Sequence, residues 1–309
     1  MTTSHPVGRA AALPLSQGRS TERDILQRLR SLPLHPGALG LADDAARLGE
    51  WVLTTDLLVE GVHFLPDDPP QDVAWKLLAT NMSDLAAKGA VPEGVLLGMP
   101  LFRADWDAAF LDGLGAALAA FGCALLGGDT VSGGRTYALT AIGRALVSPV
   151  RSGARAGDIA WVTGTIGDAG AGLAIARGAQ GPDGLLQRYR RPTPRLAEGQ
   201  ALAAHVTAMM DVSDGLLIDA ARMAEASGCG VAIDLARVPM SEAYRAWGGD
   251  ALAAATAGDD YELLFALPAG ERPPVPATAV GTFGPGRGLT VTDDGAAVPM
   301  PERLGWLHG

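Results

Sequence analysis

The feature that most restricts this chain is a local pattern that recurs in both halves. A short apolar run, of strand rather than helix length, closes on an acidic residue flanked by glycine or a hydroxyl. Trp51-Val52-Leu53-Thr54-Thr55-Asp56 is one instance, and Cys123 to Leu126 running into Gly127-Gly128-Asp129-Thr130 is another. The most informative is Ala208-Met209-Met210 followed by Asp211-Val212-Ser213-Asp214-Gly215, after which Leu216-Leu217-Ile218-Asp219-Ala220 opens an amphipathic helix. Two carboxylates three residues apart at a strand-to-helix turn suit a hard cation, which prefers oxygen ligands. The amides that open the helix suit phosphate oxygens. A second reading fits the same residues: Ser213 or Asp214 caps the helix and does nothing more.

Alternation of such strands with helical stretches predicts an α/β or α+β chain. At 309 residues, 48% of them apolar and 19% charged, the chain is globular and long enough for two domains with separate cores. Its net charge of −10 is unlike that of a general nucleic-acid or anionic-membrane binder. No apolar run reaches the roughly 18–20 residues that a membrane helix needs. Residues 1–20 carry Arg9 and Arg19 and no acid, with a short apolar segment, Ala10 to Leu15, broken by Pro14. That is too little for a secretory signal, so a disordered extension and a cytoplasmic protein are the expectation. Cys123 and Cys229 have neither zinc nor disulfide spacing and read as buried free thiols.

In chain order, Thr21 to Leu32 has helical spacing at Ile25, Leu26, Leu29 and Leu32. Gly40 to Ala46 is a loop with the acidic pair Asp43-Asp44, and Glu60 to Phe64 is a loop holding His63. Pro70 suits a first helical turn, and the stripe from Val73 to Leu85 carries Asn81-Met82-Ser83-Asp84 beside its buried face. Gly94 to Met99, Thr136 to Ala145, Ile159 to Thr163, Val231 to Leu235 and Tyr261 to Phe265 read as strands. Asp105 to Phe121 reads as a helix. Breaks at Pro149, Gly153 and Gly157 predict a boundary, giving domains at residues 21–147 and 148–309.

Acids at so many strand and helix ends sit at the rim of a core. Carboxylates 4 Å apart repel by ~1 kcal/mol in water and ~4 kcal/mol at an effective dielectric of 20, so if they converge, cations accompany them. With no His/Cys cluster, Mg²⁺, Mn²⁺ or Ca²⁺ is expected over zinc. Lys76 and Lys88 are the only lysines, and neither lies in a phosphate-binding loop of the G-x-x-x-x-G-K-[ST] kind. A nucleotide site in this chain is therefore expected to be metal-bridged.

Asp43-Asp44-Ala45-Ala46, Thr54-Thr55-Asp56, Glu60 to Phe64, Asn81 to Asp84, Gly127 to Thr130, Arg151 to Arg155, Arg191 to Arg195, Asp211 to Gly215 and Asp260 to Leu264 occur in one order. This set resembles the thiamine-monophosphate kinase family, within the superfamily of aminoimidazole ribonucleotide synthetase, from about Asp24 to the C-terminus. The resemblance implies a two-domain PurM-like fold, with an N-terminal mixed sheet that pairs across a homodimer and a C-terminal α/β sandwich. It implies in-line transfer from ATP to thiamine phosphate, giving ADP and thiamine diphosphate, with no phospho-enzyme and with several Mg²⁺. By motif, Asp43, Thr54, Thr55, Asp56, Asp84, Asp129, Asp211 and Asp214 would hold metal. Gly128, Asp129, Arg151 and Ser213 would contact ATP, and His63, Asp259 and Trp306 would meet thiamine phosphate.

Two departures stand out. Ala42 replaces the family's usual Gly, a strained choice if φ is positive there. Asp259 replaces the usual Glu and is one methylene shorter. Other readings of single residues stay open: His63 as a satisfied loop histidine, Trp306 as packing, Arg151 as a surface charge. Other members of the superfamily, and a non-catalytic metal- or nucleotide-binding protein, are the alternatives to the kinase.

Overall fold

The computed structural model describes residues 21–307, so the extension expected over residues 1–20 lies outside the described residues. The first helix, α1 (Glu22–Leu29), starts at the Thr21 cap, whose hydroxyl accepts from the Asp24 N–H while Asp24 reaches back. It buries none of its residues.

Five strands form the first sheet: β1 (Ala46–Leu48), β2 (Trp51–Val59), β3 (Val91–Leu101), β4 (Ala124–Ser132) and β5 (Thr136–Arg144). Their order is β1-β2-β5-β3-β4, antiparallel except for the parallel pair β3–β4. The helices α2 (Pro70–Ala87) and α3 (Ala104–Phe121) pack on one face. Pro70 occupies the first turn of α2, and α3 stops where Gly122 turns left-handed at φ 64°. Phe110 and Tyr137 stack at 4.5 Å between ring centroids in this core.

The second half begins with β6 (Ile159–Thr163), α4 (Asp168–Ala176), α5 (Asp183–Arg190) and α6 (Leu196–Leu202). It continues through β7 (Ala208–Val212), α7 (Leu216–Ser227), β8 (Gly230–Asp234), α8 (Glu242–Trp247), α9 (Ala251–Thr256) and β9 (Glu262–Leu267). It ends in β10 (Ala277–Gly284), β11 (Gly288–Asp293) and β12 (Ala296–Ala297). These strands make one mixed sheet in the order β12-β11-β8-β10-β6-β9-β7. Among the described residues no helix is long and apolar enough to cross a membrane.

One helix joins the halves. The face of α2 turned from the first sheet puts Ala86 and Ala87 against Leu202 of α6 and Met209, Leu263 and Phe265 of the second sheet. Toward its start, Asp72 pairs with Arg191, and the Trp75 indole donates to the Pro192 carbonyl at 3.0 Å. Asp68, just before α2, accepts from the Tyr189 hydroxyl at 2.9 Å and from Arg190 at 3.1 Å. Hence α2 is buried nearly all round instead of along one stripe. The Arg191 to Arg195 segment is a structural staple. Arg195 grips the fully buried Glu262 with two bonds of 2.6 Å, and Arg188 adds a third at 3.0 Å.

Several expectations are corrected. Asp56 does not end its strand, because β2 pairs with β5 through Val59, and pairing rather than local polarity sets the end. Gly127 to Thr130 does not close its strand but lies inside β4, and Asp211 lies inside β7. The helices α5, α6, α8 and α9 add to the elements expected from the sequence. Ala42 sits at φ −122°, so it is unstrained, and the positive φ values fall on Leu39 and Leu41 instead. Cys229 is a buried thiol, but Cys123 is only half-buried.

Candidate active site

Where β2, α2, α4 and the C-terminal end of β7 meet, the chain leaves a cavity of about 570 Å³. Its wall includes Asp56, His63, Asp84, Asp211, Asp214 and Asp259, with Trp306 at 47% exposure. Residues more than 200 positions apart thus share one space.

The β2 edge explains part of this. Strand β1 stops opposite Trp51 to Leu53, so beyond them that edge of β2 has no neighbouring strand. Side chains of α2 replace it. Asn81 Oδ1 accepts the Asp56 N–H at 3.2 Å, and the Thr54 hydroxyl is shared between Asp84 and, at 3.3 Å, the Asp44 carbonyl. Ser83 donates to Asp211 Oδ2 at 2.7 Å across the seam. The Asn81 to Asp84 motif therefore docks both sheets.

The carboxylates feel each other. Burial, then the charges of Asp44 and Asp214, pushes Asp56 up to about 6. Burial and Asp44 push Asp211 up to about 8, against the hydrogen bond from Ser83. Asp84 lies well above the usual range because it is buried beside Asp56, Asp211 and Asp44. Asp43 and Asp44 have a different environment: Lys88, 2% exposed, is paired with both, and Arg151 is paired with Asp44. Burial raises Asp44, but Lys88 and Arg151 outweigh it and hold the group below its ordinary value. Among the described residues, no three His, Cys, Asp or Glu side chains close around one point as a metal cage.

At the opening motif the amides are already engaged. Asp219 Oδ2 accepts from the N–H groups of Ser213, Asp214 and Gly215 at 3.2, 3.1 and 3.2 Å. The expectation that these amides hold phosphate is corrected: a carboxylate of the chain's own helix takes them. Ser213 and Asp214 are not the cap of α7, whose N-cap is Gly215 without a side-chain bond. Burial and the nearby Asp214 charge raise Asp219 to about 7. Arg222 pairs with both Asp214 and Asp219, leaving Asp214 a fixed place on the cavity wall.

Loops complete part of the wall. His63 Nδ1 accepts the Val59 N–H at 3.0 Å, which puts the ring proton on Nε2. The Asp259 N–H donates to the Ser213 carbonyl at 2.8 Å, and Gly258 fits because a Cβ there would approach that same carbonyl at 2.8 Å. The tail crosses the motif too. Trp306 N–H donates to the Asp214 carbonyl at 2.9 Å, and only a glycine at 305 clears that carbonyl.

Three sequence-predicted residues lie apart. Thr55 is exposed on the outer face of the first sheet, bonded to Thr140 at 2.7 Å. Gly128 and Asp129 are on β4, all nine of whose residues are exposed. The register Leu57–Ala138–Gly98–Asp129 puts Asp129 on the same outer face as Thr55, three strand spacings away from β2, about 14 Å. A Cβ on Gly128 would overlap the Leu97 carbonyl, so strand packing alone explains that glycine.

The site also contains residues the motifs did not flag: Lys76, Lys88, Asp219 and Arg222. One signal was available for the lysines. Lys76, Thr80, Asp84 and Lys88 follow an i, i+4 spacing, one stripe along α2.

Comparison with known proteins adds to this geometry. The AIR synthase related protein N-terminal domain model matches residues 42–145, and the corresponding C-terminal domain model matches residues 155–297. A thiamine-monophosphate kinase from Caulobacter vibrioides is 40% identical over 331 aligned positions, covering 97% of this chain and 94% of that protein. A solved structure of AaThiL complexed with AMPPCP and TMP superposes with a TM-score of 0.83 at 30% identity, covering 94% of this chain and 97% of that one. The thiamine-monophosphate kinase of Stenotrophomonas maltophilia K279a gives 0.74 at 36% identity, covering 92% and 98%.

Proposed function

The chain belongs to the thiamine-monophosphate kinase family, and from that premise we propose that it transfers the γ-phosphoryl group of ATP to thiamine phosphate, giving ADP and thiamine diphosphate. The observation that carries this reading is that acids from both sheets share one cavity with His63, Asp259 and Trp306.

Phosphoryl transfer asks a protein for alignment and charge compensation more than for a covalent group. The donor set suits Mg²⁺. It is oxygen only, and burial beside Asp56, Asp211 and Asp44 raises Asp84, a crowding of carboxyl groups that a divalent cation would relieve. Asp43, Thr54, Asp56, Asp84, Asp211 and Asp214 would hold several Mg²⁺ ions, with Thr55 and Asp129 completing the set. When bound, these ions neutralise the triphosphate and the accepting phosphate. Arg151 and Ser213 face the nucleotide. Trp306 offers an aromatic face, and Asp259 a carboxylate, to the thiazolium cation. His63 Nε2–H serves as a donor toward the accepting phosphate.

Gly128, Asp129 and Thr55 enter this scheme through a second copy of the chain. Leu57, Leu96 and Val131 leave the outer face of the first sheet apolar, at 48%, 41% and 54% exposure, and β4 is an open edge. A long exposed apolar edge is a pairing surface. A homodimer formed there would cover it and carry one protomer's Asp129 toward its partner's β2. We also propose that the domains divide at residue 147 and, separately, that the enzyme is cytoplasmic.

A coupled assay for ADP tests the reading. ADP should form only with thiamine phosphate and Mg²⁺ both present. ADP formation with thiamine or an aminoimidazole ribonucleotide precursor, and none with thiamine phosphate, would reject it.

A further inference from the structure

Lys76 is 2% exposed, yet its ammonium group is fully committed at the edge of the cavity. Nζ lies 2.7 Å from Asp259 Oδ2 and 3.0 Å from the His63 carbonyl, and it sits 4.1 Å from the centroid of the Tyr189 ring. An ammonium has three N–H donors. Two go to the oxygens and the third direction is closed by the ring, so the lysine cannot itself contact a ligand.

What it grips is informative. Asp259 and His63 both line the cavity, and they come from different halves of the chain. The other oxygen of Asp259 accepts from the Tyr261 hydroxyl at 3.0 Å. Asp259 and Tyr261 both have left-handed backbones, at φ 70° and 51°, a conformation that persists only where the surroundings fix it. Tyr189 in turn donates to the buried Asp68, which also holds Arg190. A buried network thus aims one carboxylate, and Lys76 bonds both the Asp259 side chain and the His63 loop.

We propose that Lys76 is a positioning residue for the acceptor half of the site, acting through Asp259 and the His63 main chain, and that it selects for the thiamine phosphate substrate without affecting the nucleotide. This rests on the kinase reading given above. The donor half has its own lysine, Lys88, at the far end of the same helix, so the two halves can be perturbed separately.

Isothermal titration of Mg²⁺-loaded protein with thiamine phosphate, and separately with AMPPCP, tests this on four proteins: the unaltered chain, Lys76→Met, Asp259→Asn and the double variant. A charge-assisted hydrogen bond of ordinary strength predicts about a tenfold loss of thiamine phosphate affinity in Lys76→Met. AMPPCP affinity should stay within about twofold. If the lysine acts through Asp259, the double variant should bind thiamine phosphate no more weakly than Asp259→Asn alone. Equal weakening toward both ligands, additive losses, or unchanged binding in Lys76→Met would overturn the proposal. Thermal melting checks folding. If Lys76→Met does not fold, Lys76→Gln, which keeps a donor for the His63 carbonyl, takes its place. Failure of both to fold would show a structural prop and overturn the proposal too. Absence of thiamine phosphate binding by the unaltered chain would instead reject the kinase reading, and this inference with it.

Discussion

Strands β4 and β7 look alike in the sequence and have opposite surroundings in the fold. Each is an apolar run carrying an aspartate, and each lies at the edge of its sheet. All five residues of β7 are buried, and Asp211 is 5% exposed under α2. All nine residues of β4 are exposed, Asp129 included. The local pattern was the same, and what differs is the cover. A helix from the other half of the chain closes over β7, while nothing within the described chain closes over β4. Asp211 is therefore costly to leave charged, even though both acids belong to the same family motif set.

The comparison can be broken most severely at β7. Asp211→Asn should cut turnover by ~10²-fold or more, the scale seen when a group that orients reacting charge is lost. The same change should leave the melting temperature unchanged or raised, since it removes a buried charge that its neighbours oppose. A destabilised Asp211→Asn protein would show that the carboxylate is structural. The next largest effect belongs to β4. Val131→Asp on its exposed face should convert a dimer into a monomer in sedimentation, halving the mass. An unaltered chain that sediments as a monomer would remove the role proposed for this edge.

A smaller effect separates the strands by pH. Asp56 and Asp211 bind protons more tightly in the folded chain, near 6 and 8, than at the ordinary 3.8. Between those values the folded state holds more protons than the unfolded one, so metal-free stability should fall as pH rises from about 4 to 8. A calorimetric scan should show a loss of a few degrees across that window and recovery at pH 8 on adding Mg²⁺, which binds the folded form. A flat profile would mean the acids are not electrostatically crowded. The smallest effect is at Asp129, whose replacement by Asn should shift monomer stability by less than ~0.5 kcal/mol, as for other exposed positions.

Much of the fold was legible because strand-length apolar runs and turn residues survive any tertiary context. Asp56, Asp84 and Asp211 stood out because a charge inside or beside an apolar run is conspicuous. Lys76, Lys88, Asp219 and Arg222 did not, because their meaning is relational. Asp219 looks like the polar face of an ordinary helix until its carboxylate is seen to collect three amides of the preceding turn. The lysines were discounted for lacking a phosphate loop, yet both are buried as internal counter-charges. Register decided the rest. Thr55 and Asp56 are neighbours in sequence and face opposite sides of their sheet, which no motif states.

The helix shared by both sheets sets a ruler. Lys76 and Lys88 are twelve residues apart, three i+4 steps along one stripe, or about 18 Å of rise. Inserting or deleting one residue between them would swing everything beyond it by about 100°. Lys88, Asp84 and Ser83 would then leave their partners while Lys76 kept its own. Surface loops on either side can lengthen or shrink over evolutionary time, but this one span must keep its residue count for the two ends of the reaction to stay in register.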